Sequence, residues 1–371
     1  PVVVSLLVSG GIVASPPANY RVLLEVFFEK VYGSGTYTSA ALLQGLYDNA
    51  GNVHFDLSSI LNGECRAGRT LPEVPEWGTV LAAKADNLRK YYYRYTEEYG
   101  SPPAQQAWTT SPPKLALDGG VSQGLFASGD FFAGITSANS LLTWQADGKP
   151  LGLTQPEYIS WHNYTASPRS LVVQRTAYDV DNNATTIVYL HESSVTAQAY
   201  ETIVLPIGFD VAAVASDVYK VVFRVVDAAS DYEGGSPTYL GPSRTYRIDR
   251  DFHDSERYVQ YLNSFGCPET WRCTGEYSKA LSVSRQTAVR PLLPGYNAFA
   301  TDRFQWGQES NNELTFRTGY IRRGDAEVLA EMLAAGEIYD VSEDGYIPLL
   351  ITTGRFDLTS TRRELHFLEF Q

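Results

Sequence analysis

The stretch Arg257 to Gly275 reads RYVQYLNSFGCPETWRCTG. Tyr258, Val259, Tyr261 and Leu262 make a run dense in strand formers, which Asn263, Ser264 and Gly266 break. Cys267-Pro268-Glu269 is read as the turn. Thr270, Trp271, Cys273 and Thr274 then resume a β-rich run that ends at Gly275. Two such runs around a Gly/Pro-bearing connection predict a β-hairpin. Both runs place apolar groups on both faces, so the hairpin belongs inside a packed β domain and not at a wet edge. The chain before it reads as all-β modules, and the chain after it as one terminal module built onto it.

Working back towards the start, Val2 to Val8 reads as a strand. The longer stretch Pro1 to Ala14 imitates the apolar part of a signal segment but lacks a basic leader, and Gly10-Gly11 interrupts it, so a first β-strand is the reading. Tyr20 to Tyr32 alternates: Val22, Leu24, Val26 and Phe28 share one face, Glu25 and Glu29 the other. Tyr37 to Tyr47 runs back, Val53 to Leu57 follows, and Ser58 to Leu61 starts a helical turn broken at Gly63. Thr79 caps a predicted helix from Val80 to Lys90, with Leu81, Ala85 and Leu88 on one side. Tyr91 to Tyr99 is a Tyr-rich strand. Ser101-Pro102-Pro103 and Ser111-Pro112-Pro113 mark an extended connector. From Leu115 to Gln155 scattered Gly and aromatic residues read as a loose arm, about 115–165, expected to order only against a neighbouring copy.

Order returns with Leu171 to Tyr178, Thr185 to His191, Tyr200 to Leu205, Val218 to Val226 and Arg244 to Ile248, strands joined by short turns. Beyond the hairpin, Leu281 to Val289 and Leu314 to Tyr320 read as strands. Asp325 caps a helix with Val328, Leu329, Met332 and Leu333 on one stripe, stopped at Gly336. Ile338 to Val341 and Tyr346 to Thr352 flank an Asp344-Gly345 turn, and Leu365 to Phe370 is a final strand.

The composition agrees. Apolar residues make up 44% of the 371 residues, enough for real cores, and aromatic residues 13%, with 25 Tyr and 6 Trp. Such two-ended side chains suit sheets and interfaces. A net charge of −13, with no Lys/Arg-rich run, opposes nucleic-acid phosphates. No apolar run is long enough for a membrane helix. Three cysteines, Cys65, Cys267 and Cys273, fit neither a zinc ribbon nor a disulfide framework, so a reduced, partly buried Cys267/Cys273 pair is expected. The sole Met is Met332, so the numbering starts after an initiator residue or inside a longer chain.

Chemical motifs are few. Gly120-Val121-Ser122-Gln123-Gly124 matches the nucleophile-elbow spacing, but its flanks do not read as the strand and helix that the elbow needs, so it is taken as a Gly-rich turn. Asp249, Asp251, His253, Asp254 and Glu256 alternate like Ca²⁺ ligands but lack the Gly and Glu of the EF-hand loop. They read as a solvated linker. His54, His162, His191, His253 and His366 show no metal-ligand spacing. Glu97-Glu98 and Glu343-Asp344 are neighbours in sequence only, and a carboxylate pair distant in the chain stays open. Asn163 and Asn183 head N-glycosylation sequons.

At the hairpin, Leu262-Asn263-Ser264-Phe265-Gly266 followed by Glu269-Thr270-Trp271-Arg272-Cys273-Thr274-Gly275 resembles the NSLGG-x-(D/E)-T-aromatic signature of tail- and baseplate-type structural proteins of Bacteroidota phages and prophages. Cys267 stands where a second Gly is usual. Val53 to Leu61 resembles their V-x-F-D-L-S-x-I-L element, and Thr318 to Ile321, the helix and Tyr346 to Leu349 resemble their terminal block. The resemblance implies a multi-copy, non-catalytic virion protein and carries over no site residues.

The expected fold is mainly β: tandem immunoglobulin/fibronectin-like β-sandwich domains with a C-terminal β-rich (α+β) module carrying one short helix. The expected divisions are an N-terminal sandwich at 1–100, a connector or irregular arm at 101–168, a second sandwich at 169–253 and the terminal module at 254–371. The expected function is structural assembly of a phage virion, tail, baseplate or related particle. A cell-surface adhesin or carbohydrate-binding protein is the alternative, and a β-rich hydrolase the remote one. No catalytic, metal or cofactor residue is assigned. The expected partners are further copies and other particle proteins, with a host-surface glycan kept open, and neither nucleic acid nor membrane. The expected location is the virion, or alternatively the bacterial cell surface.

Overall fold

Side-chain alternation builds the first sheet. β1 (Val3–Leu7), β2 (Arg21–Glu29), β3 (Tyr37–Gly45) and β4 (Asn52–Asp56) follow one another along the chain. On β2, Val22, Leu24, Val26 and Phe28 are at most 2% exposed, the face that even positions share. The structure, a computed structural model, describes residues 3–7, 14–15, 17–66, 83–84, 87–117, 135–189, 195–207, 215–291, 294–295, 301–342, 345–353, 365–366 and 369–371. Its contacts divide the chain into two units. The first comprises Pro1–Arg250, Gln260–Thr270 and Ala334–Glu337; the second comprises Asp251–Val259, Trp271–Leu333 and Ile338–Gln371.

After β4 comes α1 (Ser58–Arg66). Asp56 Oδ1 accepts the Ser58 N–H at 2.9 Å, fixing the entry. The helix runs on through Gly63, where the single predicted turn should have stopped. Leu57, Leu61 and Cys65 recur every four residues and are buried together, and this outweighs the roughly 1 kcal/mol that a mid-helix Gly costs.

In the described part of the helix predicted over Val80 to Lys90, β5 (Ala83–Lys84) and the start of β6 (Leu88–Tyr99) stand in its place; 80–82 and 85–86 lie outside the described residues. Leu88 to Tyr91 pairs with later chain, and buried Asn87 donates to Phe265 O at 2.8 Å, so tertiary pairing overrides a weak helical stripe. β6 lies between β2 and the short strands β7 (Ala104–Gln105), β8 (Thr109–Thr110) and β9 (Lys114–Leu117), all antiparallel. The Pro-marked segment is therefore no free connector: it steps back along β6 as the sheet's edge. β3 forms the opposite edge. Beneath this sheet, β1 pairs with β4 and shares one core with β2, α1, Tyr91 and Ala116.

β10 (Lys149–Gly152), β11 (Tyr158–His162), β12 (Arg169–Tyr178), β13 (Ala184–Tyr189), β14 (Val195–Ala197), β15 (Thr202–Pro206), β16 (Lys220–Asp227) and β17 (Arg244–Asp249) continue the first unit. One sheet runs β10-β17-β16-β12-β13, with β14 also on β12; only β10 and β17 are parallel. A second sheet, β11-β15-β5, faces it across a core that holds Trp161, Leu171, Val173, Phe223 and Tyr246. Two sheets over one core is the sandwich the strand spacing predicted.

β11 and β15 are buried at every residue, on both faces. Ile159 and Trp161 enter the sandwich core, while Tyr158 and Val204 pack with Ile135, Leu142, Phe265 and Cys267 on the other side. The expected loose arm is corrected here. Its start, 115–117, lies in β9, and its described part from Ile135 onward contains some of the most buried chain in the unit, because Leu142, Leu151, Ile159 and Trp161 insert between layers. The missed signal was the weak alternation typical of a strand buried on both faces.

β18 (Arg257–Leu262) and β19 (Pro268–Cys273) form the predicted hairpin. The turn sits at Asn263–Cys267, ahead of the predicted Cys267–Glu269: Gly266 N donates to Asn263 O and Asn263 N to Cys267 O, both at 2.8 Å. Gly266 takes the left-handed φ of 68°, while Cys267 does not, so a side chain is tolerated where the resembled signature has its second Gly. All three cysteines are buried and none is in a disulfide.

The second unit contains β20 (Tyr277–Val289), β21 (Arg303–Arg317), β22 (Ile321–Arg322), α2 (Arg323–Ala334), β23 (Ile338–Ser342), β24 (Gly345–Leu349), β25 (Leu365–His366) and β26 (Glu369–Phe370). α2 buries Leu329 and Met332 and carries Asp325 in its first turn, where a negative charge suits the helix dipole. β23 pairs with β24, Ser342 opposite Gly345. Two Thr-Gly pairs cross closely: Thr274 N donates to Thr318 O and Gly275 N to Arg317 O. A Cβ on Gly275 would lie 2.7 Å from Arg317 Cβ, so the crossing needs glycine. β20 and β21 form a hairpin of thirteen cross-strand pairs, much longer than the sequence pattern indicated; Arg303 to Glu313 is too polar to signal a strand.

Candidate functional site

The turn of the β18–β19 hairpin rests on a buried polar network in the first unit. Asn263 Oδ1 accepts the amides of Phe265 and Cys267, each at 3.0 Å, holding the turn. Its Nδ2 donates to Leu142 O at 2.9 Å and to Glu269 Oε1 at 2.8 Å. Glu269 Oε2 accepts from Gln145 Nε2 at 2.6 Å and from Tyr261 OH at 2.9 Å. Lys149, also buried, pairs with Glu157 and donates to Thr270 O. Gln155 Nε2 adds a bond to Glu157 at 3.2 Å, and Arg244 donates to Gln145 O. Burial pushes the Glu157 carboxyl above the ordinary range, Lys149 pulls it back, and the charge of Glu269 pushes it up again.

Two carboxylates and two cations around one recess are the ingredients of acid–base chemistry. The geometry assigns them otherwise. Each carboxylate is held by hydrogen bonds from this chain. The recess among Leu142, Gln145, Glu157, Arg244, Tyr246 and Glu269 has a free interior of about 10 Å³, room for roughly one water. No sugar ring or peptide fits there. The network fastens the hairpin to β10, β11 and β17.

The other sequence candidates disperse. Gly120, Ser122, Gly124 and His191 lie outside the described residues, as do Glu343 and Asp344. Among the described residues no three His, Cys, Asp or Glu side chains gather as a metal site. Of the acidic run, Glu256 is engaged by Arg272 at 2.8 Å and by Tyr258. Glu98 pairs with Arg21 and is buried, whereas Glu97 points to the opposite face of β6, so the two are no dyad. His54 bonds Ser5 Oγ at 2.9 Å on the surface. His162 is buried against Thr202 Oγ1 at 3.0 Å, and burial pushes its pKa down to about 4. Asn163 is buried, with Nδ2 donating to Ser167 O and Gln198 O, both at 2.8 Å, and Oδ1 accepting from Thr165. A glycan on that amide is incompatible with the fold.

Three surfaces remain. On the outer face of the first sheet, Phe27 stacks on Tyr92 at 4.8 Å between centroids, Tyr37 meets Tyr92 edge-on, and Arg94 lies over both Phe27 and Trp108. These rings cover one another, which leaves little open face for a sugar. The second surface is the pair of sheet edges β3 and β13, neither of which carries a charged residue or Pro along its strand. Leu42 on β3 and Ile187 on β13 are exposed. The third is the β20–β21 hairpin, where, among the described residues, only Phe316 and Arg317 find a further strand, β26. Leu281, Val289, Phe304 and Trp306 stand exposed along it, Trp306 as the extra residue of a bulge opposite Gln286/Thr287. Sequence reading missed this surface because exposed polar ribbons have no hydrophobic period.

No helix among the described residues is long and apolar enough to cross a membrane. Comparison with protein-family models finds no match, and comparison with curated proteins finds none either.

Proposed function

We propose that this chain is a structural assembly protein of a phage virion, a tail or baseplate component or a part of a related particle, and that it acts through protein–protein interfaces. The observation that carries this reading is the thirteen-pair β20–β21 hairpin, exposed on both faces and, among the described residues, unpaired along most of both edges. A two-stranded ribbon is marginally stable in water by itself, and unpaired edges invite another chain. The uncharged edges of β3 and β13 lack the charges or Pro that usually discourage pairing, a feature suited to a chain meant to be joined. The buried network supports the same reading, because it uses its ionisable groups to hold shape. The signature residues Asn263, Gly266 and Glu269, on which the resemblance to phage tail proteins rests, are the ones that fix the turn.

The test is to purify the particles made by the producing host and quantify this chain in them by mass spectrometry, with immunogold labelling of the intact particle. Several copies per particle at a fixed position are expected. A chain found only outside particles contradicts the proposal. The adhesin reading has one observation of its own, the ring of Trp306, 66% exposed in its bulge. Glycan-array binding that is lost in Trp306→Ala would favour it.

A further inference from the structure

We infer that the β20–β21 hairpin of one copy docks on the β13 edge of a second copy, extending the sheet β10-β17-β16-β12-β13 by strand addition. The inference rests on the assembly reading and names its partner surface. Two observations select the occupant.

The first is charge. Between Tyr277 and Arg317 the chain carries five Lys/Arg against three Asp/Glu, a net positive segment in a molecule of net charge −13. Two such hairpins repel each other. Across Tyr178 to Tyr189 the only charges are Asp179 and Asp181. Lys279 and Arg285 on β20, both exposed, thus find acidic neighbours at β13 and not on a second hairpin.

The second is backbone. β13 is the last strand of its sheet among the described residues, and Ala184 to Ile187 are exposed. Its one irregularity, where Tyr178 pairs with Ala184, leaves Thr186 to Tyr189 in regular register. β20 presents thirteen residues whose outer edge meets no strand among the described residues, more than enough to span β13. Exposed Leu281 and Ile187 supply apolar contact on the joined surface. Because the two surfaces differ, the contact is heterologous and repeats from copy to copy, giving a ring or a filament.

The native thiols are all buried, so introduced surface cysteines report selectively. Ser284→Cys and Thr186→Cys variants are prepared separately, mixed under mild oxidation, and compared with each alone and with a Leu42→Cys reporter on β3. The expected result is a mixed Ser284→Cys/Thr186→Cys disulfide at least tenfold faster than either self-link or the link to β3. Ile187→Lys should weaken self-association at least tenfold with the thermal transition unchanged, and Arg285→Glu should weaken it in a salt-dependent way. A preferred link to β3, a symmetric Ser284→Cys link, or full self-association in Ile187→Lys overturns the β13 assignment while leaving the assembly reading in place. Absence of every cross-link together with absence of the chain from particles overturns both.

Discussion

Asn263 Nδ2 donates to Glu269 Oε1 at 2.8 Å across the mouth of the β18–β19 hairpin, and both residues are buried. The same asparagine accepts the two turn amides, while the glutamate accepts from Gln145 and Tyr261. One side-chain pair therefore joins the turn to the layer beneath it. This gives the spacing of Asn, Gly and acid in the sequence a physical reason: the Asn makes the turn, the Gly supplies its left-handed residue, and the acid across the hairpin receives the remaining N–H.

Asn263→Ala removes four hydrogen bonds and leaves buried amides and a buried carboxylate without their partner. The expected loss is about 3–5 kcal/mol in the transition of the first unit, read from the shift of the urea midpoint. Asn263→Asp should lose more, because it sets two carboxylates against each other. A shift below about 1 kcal/mol for Asn263→Ala would show that water replaces the side chain.

Lys149→Met leaves Glu157 buried without its cation and should cost about 3–5 kcal/mol near neutral pH. The double variant Lys149→Met/Glu157→Gln should be more stable than the single one, since a neutral amide needs no counter-charge. The pH dependence follows the sign of the Glu157 shift. Its folded pKa is already raised, and loss of Lys149 raises it further. The folded single variant then binds a proton that the unfolded chain does not, so it gains stability as pH falls from 7 towards the ordinary carboxylate value. Denaturation curves for both variants at several pH values test this.

Burial holds the His162 ring neutral in the fold, with its pKa pushed down to about 4 from the ordinary 6.5. The unfolded chain takes up a proton below 6.5 that the folded chain refuses until about 4. Stability is therefore complete above 6.5 and falls as pH drops through that window, by about 3 kcal/mol from this residue alone. His162→Gln should flatten the stability profile between those two values while leaving the rest of the acid limb. An unchanged slope would place the acid sensitivity elsewhere.

The sequence showed strands wherever one face meets a core. Val22, Leu24, Val26 and Phe28 on β2, and Val221, Phe223 and Val225 on β16, alternate in sequence and are buried in the structure. It misled where burial is two-sided or absent. β11 is buried on both faces and carries no alternation, so its segment looked like a loose arm. β21 is exposed over most of its length, and Arg303 to Glu313 carried no strand pattern. The Lys149–Glu157–Asn263–Glu269 network draws on segments more than a hundred residues apart, and nothing local marks a Lys or Gln as buried. The edges β3 and β13 were legible as strands, but their place at the ends of sheets depends on pairings that only the fold supplies.

We propose that this chain works by joining other chains through open β surfaces. The most direct measurement is the mass of the purified, full chain in solution, by sedimentation velocity or native mass spectrometry, over a hundredfold range of concentration. The expected result is a series of multiples of 41.0 kDa that grows with concentration and shrinks with added salt. A single species of 41.0 kDa at every concentration and salt would contradict it.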